Sequence, residues 1–256
     1  CSKNSVIFFV IIVFLVLFFQ NNCAYAAENN QKCLEFNEPR DLNELKLLRM
    51  CIEKVKIAKE YDLQIIEDAA HAIESKYNGE KIGNISDLTC FSFYVTKNIV
   101  TGEGGMVLTK KKEDADMIKS LALHGMNNDA WRRYSDSGFR HYDVIQPGYK
   151  YNMMDIQASI GIHQLKRVEN NWSLRKEIWD YYNSSFIGMP IGIPMKEEDN
   201  TRHAYHLYTI MIDKNQSGVS RDEFLQKMHS LNIGTGVHYQ SITEHPYYKN
   251  KYGYDI

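Results

Sequence analysis

A chain of 256 residues has room for one large domain or two small ones, and a hydrophobic share of 44% belongs to a globular protein that buries a core rather than to a disordered chain. The formal net charge of −2 lacks the basic excess that binding a phosphate backbone requires, which excludes nucleic acid as a partner. Five cysteines, an odd number without CxxC spacing, support neither a zinc site nor a disulfide framework, so no metal is expected and Cys90, inside an apolar run, reads as a small hydrophobe.

At the N-terminus Lys3 precedes an apolar run from Val6 to Phe19, and a polar stretch then leads to Ala24-Tyr25-Ala26. Charged, hydrophobic and small-residue zones in that order read as a secretory signal over residues 1–27. The run falls short of the ~20 apolar residues of a membrane span, so a short anchor touching the membrane through residues 6–19 is the second reading and a fused or mis-joined segment the third. Residues 28–43 are polar and aperiodic, a linker. Leu45, Leu48, Ile52, Val55 and Ala58 then recur at helical spacing and predict a helix over 43–61, followed by a short strand from Leu63 to Ile66.

Further strands are predicted over Leu88–Tyr94 and Gly105–Thr109, and a helix from Asp114 to Leu123 carries Met117, Ile118, Leu121 and Ala122 on one side. A polar and aromatic loop runs from Gly125 to Pro147. The stretch from Met153 to Phe186 is helical, as one helix or two, and Pro190 and Pro194 then break the chain. Beyond them the pattern predicts a strand over Tyr205–Ile212, a helix announced by the capping pair Ser220 and Glu223, and a strand over Ile233–Tyr239. Alternating helices and strands give an α/β class, with a first domain over 44–190 and a second, α+β, over 191–256.

Two segments carry chemistry. In Ile65-Ile66-Glu67-Asp68-Ala69-Ala70-His71-Ala72 an apolar strand ends in carboxylates, which puts acid at the carboxyl edge of a sheet, where open α/β folds bind ligands; Asp68 is a site candidate there, or a helix cap. In Phe91-Ser92-Phe93-Tyr94-Val95-Thr96-Lys97-Asn98, followed by Gly102-Glu103-Gly104-Gly105, a lysine sits between a buried strand and a glycine-rich turn. Desolvation there would lower its pKa and make its amine nucleophilic toward a carbonyl; the alternative is a surface lysine.

Both segments, with Pro147-Gly148-Tyr149-Lys150-Tyr151-Asn152, Asp155-Ile156-Gln157-Ala158 and the stretch from Gly234 to Tyr239, occur in the order in which they stand in one known family. The sequence resembles the DegT/DnrJ/StrS family of pyridoxal-phosphate (PLP) dependent sugar aminotransferases, which have the aspartate aminotransferase fold, fold type I. The Gly-Tyr-Lys-Tyr-Asn version, with His124-Gly125 and Trp131 upstream, is most similar to members that aminate 4-keto sugar nucleotides, including those of lipopolysaccharide modification. The resemblance implies that Lys97 holds the cofactor covalently and moves the substrate proton; a histidine stands here in the family's sugar dehydratases. Asp68 matches the carboxylate paired with the pyridinium nitrogen, His71 a residue lying against the cofactor ring, and Ser92 a hydroxyl bonded to its phosphate. Lys150 and Asn152 lie in the motif that reaches the phosphate from the neighbouring subunit of a homodimer. His238 and Tyr239 match a small-domain motif near the substrate, and His124 and Trp131 border the sugar site.

Family members work in the cytosol on a sugar nucleotide and an amino-acid donor such as glutamate, and they are longer. Against them the chain is expected to hold an incomplete large domain and the start of a small one. That expectation keeps two other functions in view: a non-catalytic relic or scaffold of the same fold, and a PLP-dependent sugar dehydratase.

Overall fold

The computed structural model describes the backbone of residues 8–12, then residues 58, 60, 61, 63–127 and 141–253. The chain divides into two compact units, one of residues 1–13, 43–178 and 197–206 and the other of residues 14–42, 179–196 and 207–256.

The first unit is built on a four-stranded sheet. Strands β1 (Phe8–Ile12), β2 (Gln64–Asp68), β5 (Leu88–Ser92) and β6 (Gly105–Thr109) lie in that order; the first three are parallel and β6 is antiparallel to β5. The predicted strands at 63–66, 88–94 and 105–109 are therefore present, displaced by a residue or two at their ends. Residues 8–12, the middle of the apolar run read as a signal or anchor, form β1; the rest of that segment, the linker and most of the helix predicted over 43–61 lie outside the described residues, although Ala58 and Glu60 are helical. Among the described residues no helix is long and apolar enough to cross a membrane.

The register aligns Asp68 with Cys90 and Ser92 with Gly105, so the carboxyl ends of β2 and β5 and the start of β6 share one edge of the sheet. Beneath that edge Ala69, Phe91, Phe93 and Ile99 form a buried cluster, packed by Ile73, Ile82, Met153 and Val168. These residues come from the loops that follow β2 and β5 as much as from the strands. Hydrophobic burial thus fixes the loops where the chemistry-bearing side chains stand.

Helix α1 (Lys112–Ala122) follows β6 and coincides with the predicted helix to within two residues. The long helical stretch resolves into two helices, α2 (Asp155–Lys166) and α3 (Val168–Ser185), hinged at Arg167. A small antiparallel sheet, β4 (Glu80–Lys81), β3 (Lys76–Tyr77) and β7 (Thr201–Arg202), ties the segment before His206 to the hairpin after β2, and Asn78 N–H donates to the Asn200 carbonyl at 2.8 Å.

In the second unit Trp179 and Tyr182 of α3 meet the Tyr208 ring edge-on, with centroids 4.8 and 5.1 Å away, and Tyr208 Oη donates to Asn183 at 2.8 Å. Helices α4 (Lys214–Ser217), α5 (Arg221–Ser230) and α6 (Pro246–Tyr252) follow. Helix α5 begins at the predicted capping box: Glu223 N–H donates to Ser220 Oγ while the Glu223 carboxylate accepts from Ser220 N–H at 2.7 Å. The strands predicted over 205–212 and 233–239 are absent. Met211 makes one isolated bridge, to Gly192, and residues 233–239 are irregular, with a bend at His238 and no ladder partner among the described residues. Apolar runs of that length become strands only where a neighbour accepts their backbone groups, and among the described residues none does.

Candidate active site

The edge where β2 and β5 end collects the first group of candidate residues. After Asp68 the chain makes a turn, not a helix: Asp68 Oδ1 accepts from Ala70 N–H at 3.0 Å, and Ala72 N–H donates to the Ala69 carbonyl at 3.0 Å. Asp68 thus resolves the earlier alternative as an Asx-turn carboxylate, with one oxygen holding the turn that presents His71. After β5, Thr101 N–H donates to the Phe93 carbonyl at 2.9 Å and Phe93 N–H to the Gly104 carbonyl at 2.9 Å, so residues 94–100 form a loop closed at its base. The loop also needs the glycine at its exit, because a Cβ on Gly105 would stand 2.7 Å from the Phe91 carbonyl oxygen.

Lys97 lies in the turn at the tip of that loop, its N–H bonded to the Tyr94 carbonyl at 2.9 Å, and its side chain returns to the sheet edge. There Lys97 Nζ and His71 Nε2 are 2.5 Å apart. Desolvation holds the Lys97 amine below its ordinary pKa, and the Asp68 carboxylate opposes this by favouring the charged form. Asp68 at the end of β2, His71 in the turn after it and Lys97 in the loop after β5 are therefore brought together. Ser92 ends β5 at the same edge, and its Oγ accepts weakly from Tyr94 N–H at 3.4 Å. Cys90, two residues earlier and half-buried, carries a free thiol raised above its ordinary pKa by burial and then by Asp68 and Glu67. A raised pKa leaves less of the nucleophilic thiolate at neutral pH.

A second cluster forms where α1 ends. Leu123 bridges Lys150, His124 N–H donates to the Tyr149 carbonyl at 2.8 Å, and Tyr151 N–H donates to the Ala122 carbonyl at 2.8 Å. Lys150 Nζ bonds Asn152 Oδ1, and the Tyr149 and Tyr151 rings stack with centroids 4.9 Å apart. His124, Lys150 and Asn152 thus share one surface of the first unit, with His124 and Lys150 exposed. His238 and Tyr239 are in the second unit, their rings 3.8 Å apart, and Trp131 lies outside the described residues.

The structure also draws in residues that sequence reasoning missed. Asn98, Glu74, Arg175 and His206 surround the Lys97–His71 pair: His206 packs its ring on His71 at 4.1 Å and bonds Asn98 through Nδ1 at 2.6 Å. Arg175 pairs with the buried Glu74 carboxylate, which also accepts from Asn98 Nδ2 at 2.7 Å. The one local signal was a glutamate following an apolar strand-and-turn segment, too common to single out.

Residues 52–256 match the model of the DegT/DnrJ/EryC1/StrS aminotransferase family. The chain belongs to this family. It is 50% identical over 202 residues to an uncharacterized protein of Methanocaldococcus jannaschii, covering 79% of this chain and 52% of that protein. It is 46% identical over 199 residues to the spore coat polysaccharide biosynthesis protein SpsC of Bacillus subtilis, covering 77% of this chain and 51% of that protein. Among solved structures, the PMP form of a protein described as a sugar aminotransferase, Spr1654 of Streptococcus pneumoniae, is 31% identical with a TM-score of 0.66, over 82% of this chain and 54% of that one. The fold is thus the PLP-dependent fold type I of those aminotransferases. The chain spans about half the length of the curated relatives it matches.

The donor set at the sheet edge fits the family's cofactor. A desolvated amine is available to its aldehyde, a carboxylate at a strand end to its ring nitrogen, an imidazole to its ring face and a strand-end hydroxyl to its phosphate.

Proposed function

We propose that the protein moves an amino group from an amino acid, glutamate, to a keto sugar nucleotide carrying its carbonyl at the sugar 4-position, in the biosynthesis of a cell-surface polysaccharide. One observation carries this reading: Lys97 Nζ stands 2.5 Å from His71 Nε2, in a setting that disfavours its charge, with Asp68 close enough to act on it electrostatically. The sugar and polysaccharide roles in the descriptions of the S. pneumoniae and B. subtilis relatives support the substrate class.

PLP, when bound, supplies an aldehyde for the lysine and a protonated ring that draws electrons from the substrate carbon. Lys97 would hold it through Nζ; a partly desolvated amine loses its proton more readily and so spends more time as the nucleophile. Asp68 would accept the ring N–H, and its charge keeps that nitrogen protonated. His71 limits where Nζ can move while lying against the ring, and Ser92 would bond the phosphate. Once freed from the cofactor, Lys97 Nζ would be the group that takes the proton from the amino donor's α-carbon in one half of the reaction and gives a proton to the sugar carbon in the other.

Lys150, exposed, and Asn152, bonded to it, fit a role toward the phosphate of a second copy in a homodimer, with Lys150 as its counter-charge. His124, Trp131, His238 and Tyr239 would contact the sugar nucleotide. The setting is the cytoplasm, where sugar nucleotides and PLP are made.

The test is spectroscopic. Purified protein mixed with PLP should develop a visible absorbance band, borohydride should lock the adduct onto the Lys97 peptide, and Lys97→Ala should abolish both. No band, or a band that survives Lys97→Ala, sinks the proposal and favours a non-catalytic member of the fold.

A further inference from the structure

The buried Glu74 is 2% exposed, and a carboxylate in that position must be compensated. Arg175 on α3 pairs with Oε1, and Asn98 Nδ2 donates to Oε2 at 2.7 Å. The Arg175 guanidinium also reaches the Ala204 carbonyl through Nε at 3.4 Å. Because a carboxylate only accepts, the Asn98 amide has one orientation: nitrogen toward Glu74, oxygen toward His206. His206 Nδ1–H therefore donates to Asn98 Oδ1, at 2.6 Å, and the other side of the His206 ring rests on His71.

The segment that delivers His206 is fastened along its length. Thr201 and Arg202 pair with β3, and Arg202 bonds Glu169 and lies 3.8 Å over the Trp172 ring. Trp172 Nε1 donates to the His203 carbonyl at 2.7 Å, and Ala204 and Tyr205 are buried. Tyr205 takes a left-handed φ of 51°, a conformation that a bulky residue adopts only when its surroundings enforce it.

We propose that Asn98 and His206, oriented by the Glu74–Arg175 pair, are positioning residues that fix His71 and through it hold the Lys97 amine at the sheet edge. The inference rests on the reading of Lys97 as the cofactor lysine, and it adds residues to which no cofactor contact is assigned. Asn98 is the shared link: its backbone follows Lys97 directly, and its side chain joins the buried ion pair to the imidazole stacked on Lys97's partner. His206→Ala removes both the stacking ring and the donor. His206→Asn restores a donor near the Nδ1 position.

The experiment follows Lys97 in the full protein without cofactor, by labelling with acetic anhydride across pH and quantifying the Lys97 peptide by mass. PLP capture is timed in parallel. Asn98→Ala and His206→Ala should move the Lys97 labelling midpoint up toward that of an ordinary lysine and slow PLP capture about tenfold, as expected for one lost positioning hydrogen bond. His206→Asn should recover most of both. Wild-type midpoints and capture rates in folded Asn98→Ala and His206→Ala proteins overturn the proposal. Should Asn98→Ala fail to fold, the contrast between His206→Ala and His206→Asn decides alone. If the wild-type protein captures no PLP while the variants still move the midpoint, the cofactor reading falls and the positioning role stands.

Discussion

The Lys97 amine is governed by two opposed influences, desolvation that lowers its pKa and the Asp68 charge that raises it, with desolvation the larger. Asp68→Asn removes only the second, so the Lys97 amine should titrate at lower pH still in the variant, read from pH-dependent acetic anhydride labelling; an upward move or no move would mean that Asp68 does not act on the amine. The sign carries into stability. A lysine whose folded pKa lies below its ordinary value of 10.5 binds fewer protons folded than unfolded between the two values, so its contribution is unfavourable at low pH and improves as pH rises through that window. Asp68 and Lys97 could be picked out as candidates because each stands at a strand end or beside a glycine-rich turn, whereas His71 and Ser92 entered only through the resemblance to the family. Asn98, Glu74, Arg175 and His206 were not legible, because the contacts that give them meaning span 24 to 108 residues: Asn98 to Glu74, and Asn98 to His206. Periodicity and local motifs carry no record of such pairings, and a histidine in the run Tyr205–Ile212 read as one position of a strand.

Among the elements, β2, β5, β6 and α1 were predictable because their apolar patterns match a buried strand or an amphipathic helix over their own length. The strands expected at 205–212 and 233–239 share that pattern but have no ladder partner among the described residues, and partner availability is a non-local property. A local motif with an equally non-local purpose is the pair of glycines that seats the second cluster. Gly125, with φ of 71°, and Gly148 lie back to back: a Cβ on Gly125 would stand 1.7 Å from the Gln146 carbonyl oxygen, and one on Gly148 2.1 Å from Gly125 N. The motifs His124-Gly125 and Pro147-Gly148 are therefore two sides of one contact, which sets Lys150 beside the end of α1. Gly125→Ala should lower stability by more than about 1 kcal/mol, since alanine pays both the left-handed φ and the clash. Gly148→Ala should cost a similar amount. Both substitutions intrude on the same gap, so the double variant should lose less than the two single losses together, in urea unfolding; full additivity would show that the loops do not share this contact.

For the whole molecule, the fold class and family were legible because the motifs stand in one order along the chain, while the division into compact units was not, since the segment 197–206 returns to the first unit after residues 179–196 have left it. That return has a thermodynamic consequence. The proposed cofactor groups Asp68, His71, Ser92 and Lys97 all belong to the first unit, so PLP bound there stabilises the folded state of that unit by RT ln(1 + [L]/Kd), about 2.7 kcal/mol at a hundredfold excess over Kd. In a chain of this size that amounts to a rise of roughly 5–10 °C in the midpoint of the transition that unfolds the first unit. The second unit gains only insofar as its unfolding is coupled to the first. Calorimetry should therefore show either one transition that moves up with PLP, if the units unfold together, or two of which only the first unit's moves. Pyridoxal, which lacks the phosphate, should give a smaller rise because Ser92 loses its partner, and Lys97→Ala should cut the rise further by removing the covalent link. A PLP-induced shift confined to the second unit would place the cofactor elsewhere and contradict the assignment of all four residues at once.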